Sequence, residues 1–397
     1  MVGCHGHILQ LSAWRFMISM LPRTVIVLGL VSLLNDTASE MIFPLLPLFI
    51  TATLGADPVA LGLIEGVAEA ASSILKLVAG RMADRGWNHK RMVIAGYATS
   101  NAARPLIGLA LGWWSVLALR FLDRVGKGWR TSPRDAVISA SVADDVRGRA
   151  FGFHRSMDHA GAMLGPLIAF VLLKSGMEMR EVFLTSVIPG MLLLLLLAWR
   201  LPSTPSVSTP VVQLQWSALH PRMRALILAA GGLAFAAVPE AFLILWAYHG
   251  GVEMEVVPLL WAAAHGAKSL AAGPAGMFSD RVGRVPVLVM AWTCRIGLLI
   301  CMAMLTHHGL MVWGLFILYA AALAMSEASE RALIGDVAAV NMKATAFGLY
   351  HLTSGLAALP GAVLFGLVWQ FASMSAALLM SATLTVVAIV FFIMLTH

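Results

Sequence analysis

Apolar stretches long enough to cross a bilayer as helices recur through this chain almost without interruption. The hydrocarbon core of a membrane is ~30 Å thick, and about 20 mostly apolar residues span it as a helix. Twelve such stretches are read, at 23–50, 59–81, 91–112, 114–134, 149–173, 180–200, 223–248, 256–278, 286–306, 310–331, 344–369 and 373–395. Runs such as MLLLLLLAW (191–199) lack the apolar–polar alternation of a barrel strand. The chain is 59% hydrophobic and only 12% charged, too little polar surface for a soluble protein of 397 residues. The expected fold class is therefore an all-α membrane protein.

The net charge of +7 raises the question of nucleic acid. The basic residues instead collect in short loops on one side of the spans, among them Arg81, Arg85, Lys90, Arg91, Arg147, Arg149, Arg222, Arg224, Arg281 and Arg284. Only Lys174 and Arg180 fall on the other side. The positive-inside rule then predicts an inner-membrane protein with both termini cytoplasmic, bound to lipid and not to nucleic acid. Cys4, Cys294 and Cys301 form no disulfide framework, and the last two read as packing residues. The CHGH tail (Cys4–His7) is read as a disordered terminus, and no cleavable signal peptide is expected. No cofactor or metal site is expected.

The chain divides into a tail (1–22), a six-helix half (23–200), a Pro- and Ser-rich cytoplasmic linker (201–222) and a second six-helix half (223–397). The halves repeat: GRMADR (80–85) matches GMFSDR (276–281), and AFGFHR (150–155) matches AFGLYH (346–351), both at an offset of 196. Parallel repeats of this kind place a substrate site between the halves near the membrane midplane.

On these residues the sequence resembles the major facilitator superfamily across nearly its whole length. Gly80, Asp84, Arg85, Lys90 and Arg91 look like that superfamily's G-x-x-x-D-R…R loop, and Gly276, Asp280, Arg281 and Arg284 look like its second copy. The resemblance implies a cytoplasmic charge latch that stabilises the outward-facing state; an ordinary positive-inside loop is the plainer reading. Gly161, Gly165 and Pro166 look like the G-x-x-x-G-P element of drug–proton antiporters, although close helix packing explains them equally well. Arg120 and Gly126 fit the R-x-x-x-G-x-G pattern of the same antiporters, but Arg124 replaces its middle Gly. The family fold also implies that the third, sixth, ninth and twelfth helices face outward. Arg104 and Arg295, on the third and ninth, are exceptions without an assigned role.

The charges inside the spans carry the functional reading. Arg120, Asp123, Arg124 and Lys127 recur at three- and four-residue spacing and so share one helix face. A central Arg or Asp facing lipid costs at least about 2.5–3.5 kcal/mol, so this face should line a wet cavity. Arg130, Arg134 and Asp135 fall nearer the helix end and are expected to be solvated. Asp36, Glu40 and Asp123 are candidate proton-coupling groups. Arg120, Arg124, Lys127, Asp158, Glu240, His265 and Lys268 are candidate cavity residues. A static ion-pair network is the competing reading of any one of them.

The expected function is secondary active transport of a small organic solute, anionic or zwitterionic, by alternating access coupled to protons. A multidrug–proton antiporter and a non-transporting membrane sensor are the alternatives. An enzyme is not expected: HExxH and GxSxG are absent, and Gly126-Lys127-Gly128 lacks the flanking residues of a phosphate loop. A single chain holds both halves, so a monomer is expected. Substrate identity, direction and coupling ion are not legible.

Overall fold

The computed structural model describes residues 21–143, 146–201, 216, 219–304, 309–337 and 343–396. The N-terminal tail (1–20) and most of the linker (202–215) lie outside these residues.

Helices fill the described chain, numbered here α1 (Arg23–Glu40), α2 (Pro58–Asp84), α3 (His89–Leu106), α4 (Trp113–Ala140), α5 (Arg147–Lys174), α6 (Met179–Arg200), α7 (Pro221–His249), α8 (Val257–Val282), α9 (Arg284–Met304), α10 (Leu310–Val337), α11 (Lys343–Phe371) and α12 (Met374–Thr396). Eight of these are apolar enough along their length to read as spans by composition alone. The other four, α1, α3, α4 and α8, carry most of the polar residues that face the interior. Two six-helix halves result, as the repeat required.

Local chemistry sets the helix ends. Asp57 caps α2 by accepting from the Ala60 amide at 2.7 Å, with Pro58 as the first helical residue. Asn88 caps α3 in the same way (Arg91 amide, 3.0 Å). One residue, Gly283, separates α8 from α9; its φ of 104° favours glycine. Pro44 and Pro47 interrupt the first span, which continues past α1 through a turn, a short helix (Leu46–Leu48) and a π-helical turn (Phe49–Thr53). The seventh span breaks at Ala237–Pro239. Both breaks stand beside the cleft described below.

Glycines set how closely the helices approach. A side chain at Gly126 of α4 would reach 2.5 Å from the Gly96 carbonyl and the Ser100 hydroxyl of α3. Gly161 and Gly165 of α5 lie against the α1 backbone at Leu33 and Thr37, which is the packing role of that element. Gly62 and Gly66 of α2 press on α11 at Ala362 and Leu359.

The core is arranged differently at the two ends. At the end carrying Lys174 and Arg180, one continuous core joins both halves, through Phe49, Phe183, Leu61, Phe242, Trp246, Trp261, Phe316 and Phe365. At the Arg-rich end the cores are separate. One half buries Val25, Tyr97, Ile138, Phe153 and Leu197; the other buries Met223, Leu288, Trp292, Ile334 and Phe392. The halves thus share one apolar core at one end only, while α2 and α11 stay in contact along their length through Gly62–Ala362, Gly355–Ser73 and Gly348–Leu77. Large apolar side chains such as Leu195, Trp199, Phe371 and Val387 remain exposed on the outer surface, as a lipid-facing surface requires.

Candidate functional site

The cleft between the halves is lined by α1, α2, α4 and α5 on one side and by α7, α8, α10 and α11 on the other. Its first wall is built on a buried polar network. Asp123 of α4 is fully buried. Arg104 Nε reaches its Oδ1 at 2.9 Å, and Arg120 Nη1 reaches its Oδ2 at 3.2 Å. Arg104 Nη1 also donates to Asn35 Oδ1 (2.9 Å) and to the Asn35 carbonyl (3.2 Å). Arg120 extends to Glu65 of α2 (3.4 Å) and lies over Phe43 (5.2 Å). Four helices are thereby tied to one carboxylate. Gly126 makes this possible, since it lets α3 approach closely enough for Arg104 to reach α4.

Arg104 therefore turns inward from the third helix and is the principal partner of Asp123. Arg295 does the equivalent in the second half. It is buried, donates to the Tyr319 hydroxyl at 3.2 Å and stacks 5.4 Å over that ring. Tyr319 stands at the repeat offset of 196 from Asp123. Both exceptions are thus inward-directed cations, one answered by a carboxylate and the other by a phenol.

The expectation that Arg130 is solvated is corrected. It is 3% exposed, donates to Ser100 Oγ (2.6 Å) and Asn35 Oδ1 (3.3 Å), and lies 4.4 Å over Tyr97. α4 runs on to Ala140, so Arg130 still lies within the packed helix. Arg134 is also mostly covered, with a forked contact to Asp135 (2.9 and 2.8 Å).

Arg124 and Lys127 differ from these. Both are half-buried, and among the described residues neither side chain makes a direct hydrogen bond or ion pair. Near them, Asp36 is half-buried and accepts from Asn35 Nδ2 at 2.8 Å. Asp158 of α5 takes a hydrogen bond from Ser32 and faces His154 Nδ1 at 3.5 Å and Arg155 at 3.7 Å. Glu69 of α2 is exposed to the cleft.

The opposite wall centres on Trp261 of α8. Its indole N–H donates to Glu40 Oε2 across the cleft at 2.8 Å. Phe43 (5.0 Å), His265 (4.9 Å) and Phe316 (6.4 Å) surround the ring, and Lys268 lies 5.4 Å from its centre. Lys268 is paired with Glu240, the first residue after the break in α7. The buried His265 Nε2 has no hydrogen-bond partner among the described residues. Deeper in this half, Glu330 accepts from the Tyr350 hydroxyl at 2.8 Å.

The structure thus brings Asp36, Glu40, Arg124, Lys127, Asp158, Glu240, His265 and Lys268 to one cleft. Arg120 and Asp123 stand sealed behind its wall. The loop residues Asp84, Arg85, Arg91, Asp280 and Arg281 stand away from it, exposed at the Arg-rich end with Gly80 and Gly276 beside them. In the second copy Arg284 joins Asp280, Asp336 (3.2 Å) and Ser279 (2.7 Å). Sequence reasoning missed Trp261, whose only signal is a Trp at the fifth position of α8 directly before the small-residue run Ala262–Ala264, and it missed Asp336.

Two pseudo-symmetric six-helix halves around a charged central cleft define a polytopic transporter fold. Residues 28–267 match the family model of the Major Facilitator Superfamily, and the chain belongs to that family. It is 30% identical over 361 residues to an uncharacterized MFS-type transporter of Methanocaldococcus jannaschii, covering 88% of this chain and 89% of that one. An uncharacterized protein of Mycobacterium tuberculosis is 33% identical over 379 residues, 90% and 87% of the two chains. The multidrug resistance protein MdtH of Salmonella newport is 30% identical over 173 residues, 43% of this chain and 42% of its own. Among solved structures, the nucleoside transporter NupG superposes with a TM-score of 0.77 at 14% identity, covering 94% and 98% of the chains. A bacterial Spinster homologue in an inward-facing, occupied conformation superposes at 0.74 with 17% identity, covering 94% and 96%. At these identities the two structures share the fold alone.

Proposed function

We propose that this chain carries a small organic anion or zwitterion across the cytoplasmic membrane by alternating access, coupled to protons. The observation that carries this reading is the pair Arg124 and Lys127, two cations at the cleft that make no direct ion pair or hydrogen bond among the described residues, with the carboxylates of Asp36, Glu40, Glu65 and Glu69 acting on them at longer range. Because no direct ion pair clamps either side chain, both remain available to form charge-assisted hydrogen bonds to a carboxylate or phosphonate entering the cleft. Trp261 and Phe43 offer the apolar surface for the remainder of such a molecule, and the Glu240–Lys268 pair offers both signs of charge to a zwitterion.

Asp36 and Glu40 are the proposed proton carriers. Both are half-buried at the cleft wall, four residues apart on α1, within the field of the cations on α4. Asp123, closed between two guanidiniums, serves in this reading as the fixed counter-charge of Arg104 and Arg120. The basic loops orient the Arg-rich end to the cytoplasm, with both termini there. The closed end is then the outer one, and this structure is the inward-open member of the cycle. The monomer already contains the complete cleft.

The partial likeness to a multidrug resistance protein supports drug efflux as the second reading. Export of hydrophobic cations fits less well with Arg124 and Lys127 presented at the cleft wall without a direct ion pair. The test is the purified chain in liposomes loaded with a pH-sensitive dye, with candidate solutes added in pools. Solute-dependent proton flux that disappears in Asp36→Asn is expected from an anion pool. Flux from cationic drugs alone would instead establish the second reading. Solute binding without any flux would establish a sensor.

A further inference from the structure

The closed end carries a second cavity of about 290 Å³, separate from the cleft. It lies where the α5–α6 turn of the first half meets the 3₁₀ turn Met254–Val256 of the second. Three residues that line it are methionines. Met177 and Met179 belong to the M-E-M run of the turn, and Met254 comes from the opposite half.

The charged groups of this cavity are already engaged. Glu178 and Glu181 form a capping box at the start of α6 (Glu178 amide to Glu181 Oε2, 2.9 Å). Glu255 pairs with Lys174 across the two halves at 2.6 Å. Arg180 donates to the carbonyls of Gly108 (2.8 Å) and Ala110 (2.9 Å) and lies over Phe49. No hydrogen bond engages the three sulfurs among the described residues. Met177 is 37% exposed, so the cavity opens to water on its side, while Met179 and Met254 pack against the core that joins the halves. The charged residues that line it are Glu178 and Glu255 against Arg180, a balance that favours a cation.

Thioether sulfur is a soft, neutral donor, and soft donors select copper(I) and its analogue silver(I) over hard divalent ions. The unbranched methionine side chain has three rotatable bonds, so sulfurs on facing walls of one cavity can converge on one ion. We infer that this cavity binds a soft monovalent metal cation, copper(I) or silver(I), through Met177, Met179 and Met254. Because the donors come from both halves, the bound ion ties them together and holds this end closed. The inference does not rest on the proposed substrate, since it concerns binding alone.

The test uses the full chain with Cys4, Cys294 and Cys301 replaced by Ser, titrated calorimetrically with silver(I), which needs no reductant. One bound ion is expected, with a rise in the melting temperature. Leucine conserves volume in place of methionine. The triple variant Met177→Leu/Met179→Leu/Met254→Leu should fold normally and bind silver at least about tenfold more weakly. Met254→Leu alone, which removes the only donor from the second half, should also remove the rise in melting temperature. Undiminished affinity in the triple variant would place silver elsewhere, for example on His5 and His7 of the tail, and would overturn the inference. So would a cysteine-free chain that binds none.

Discussion

Trp261 of the second half donates its indole N–H to Glu40 of the first at 2.8 Å, so a carboxylate proposed to carry protons is also a tie between the halves. A hydrogen bond to a charged group contributes about 1.5–3 kcal/mol. Occupancy of Glu40 by a proton removes most of that assistance, which links proton binding to the freedom of the closed end. Trp261→Phe keeps the ring against Phe43 and removes only the donor. It is expected to raise the population open at this end by about 10- to 100-fold. Spin-label distances between the exposed positions 111 and 310, one in each half at this end, measure this. Glu40→Gln should act in the same direction, and the two together should exceed neither alone by much, because they break one bond.

The clamp on Asp123 should behave as structure. Removing one partner of a buried ion pair typically destabilises by about 3–5 kcal/mol. Arg104→Ala is therefore expected to lower the melting temperature of the purified protein strongly and to reduce its yield. Arg104→Lys should recover part of this, because a single ammonium reproduces the charge but not the fork that reaches both Asp123 and Asn35. Arg124→Ala should have the opposite profile: an unchanged melting temperature and no transport. Equal destabilisation by both substitutions would remove the distinction between wall and cleft.

The glycine at the centre of α4 sets the clamp's geometry. A methyl group at position 126 would sit 2.5 Å from the Gly96 carbonyl and the Ser100 hydroxyl. Separating α3 from α4 to admit it withdraws Arg104 from Asp123. Gly126→Ala is therefore expected to cost more than the ~1–3 kcal/mol of ordinary overpacking. Thermal melting in detergent, compared with Gly152→Ala, where nothing lies within 4 Å, checks it.

The spans, the two halves and the placing of charge on α1, α4 and α8 were all legible in the sequence, because hydrocarbon imposes a length and forbids unanswered charge. Arg104 and Arg295 stood outside that reading. Their helices are peripheral, and nothing in a linear pattern says that a peripheral helix will turn a guanidinium inward onto Asp123 or Tyr319. Arg130 was misplaced for a related reason: distance along α4 gives depth in the membrane, whereas burial depends on Tyr97 and Ser100 from another helix. Trp261 shows the third limit. Its partner Glu40 lies 221 residues away in the other half, and such a bond belongs to one conformation of the cleft.

The two loop copies make the last case. In the second half, Arg284 joins Asp280, Asp336 and Ser279 within its own half, so that copy is already engaged. In the first half, Asp84, Arg85 and Arg91 face water. Exposed charges contribute about 0–1 kcal/mol to stability, so Asp84→Asn should leave the melting temperature unchanged. If Asp84 acts only when the halves close at this end, the substitution destabilises that closed state alone. Turnover then falls while affinity for solute from the open side holds. Initial flux and equilibrium binding, measured on the same preparation, separate the two. A loss of affinity with turnover preserved would assign Asp84 to the cleft and not to closure.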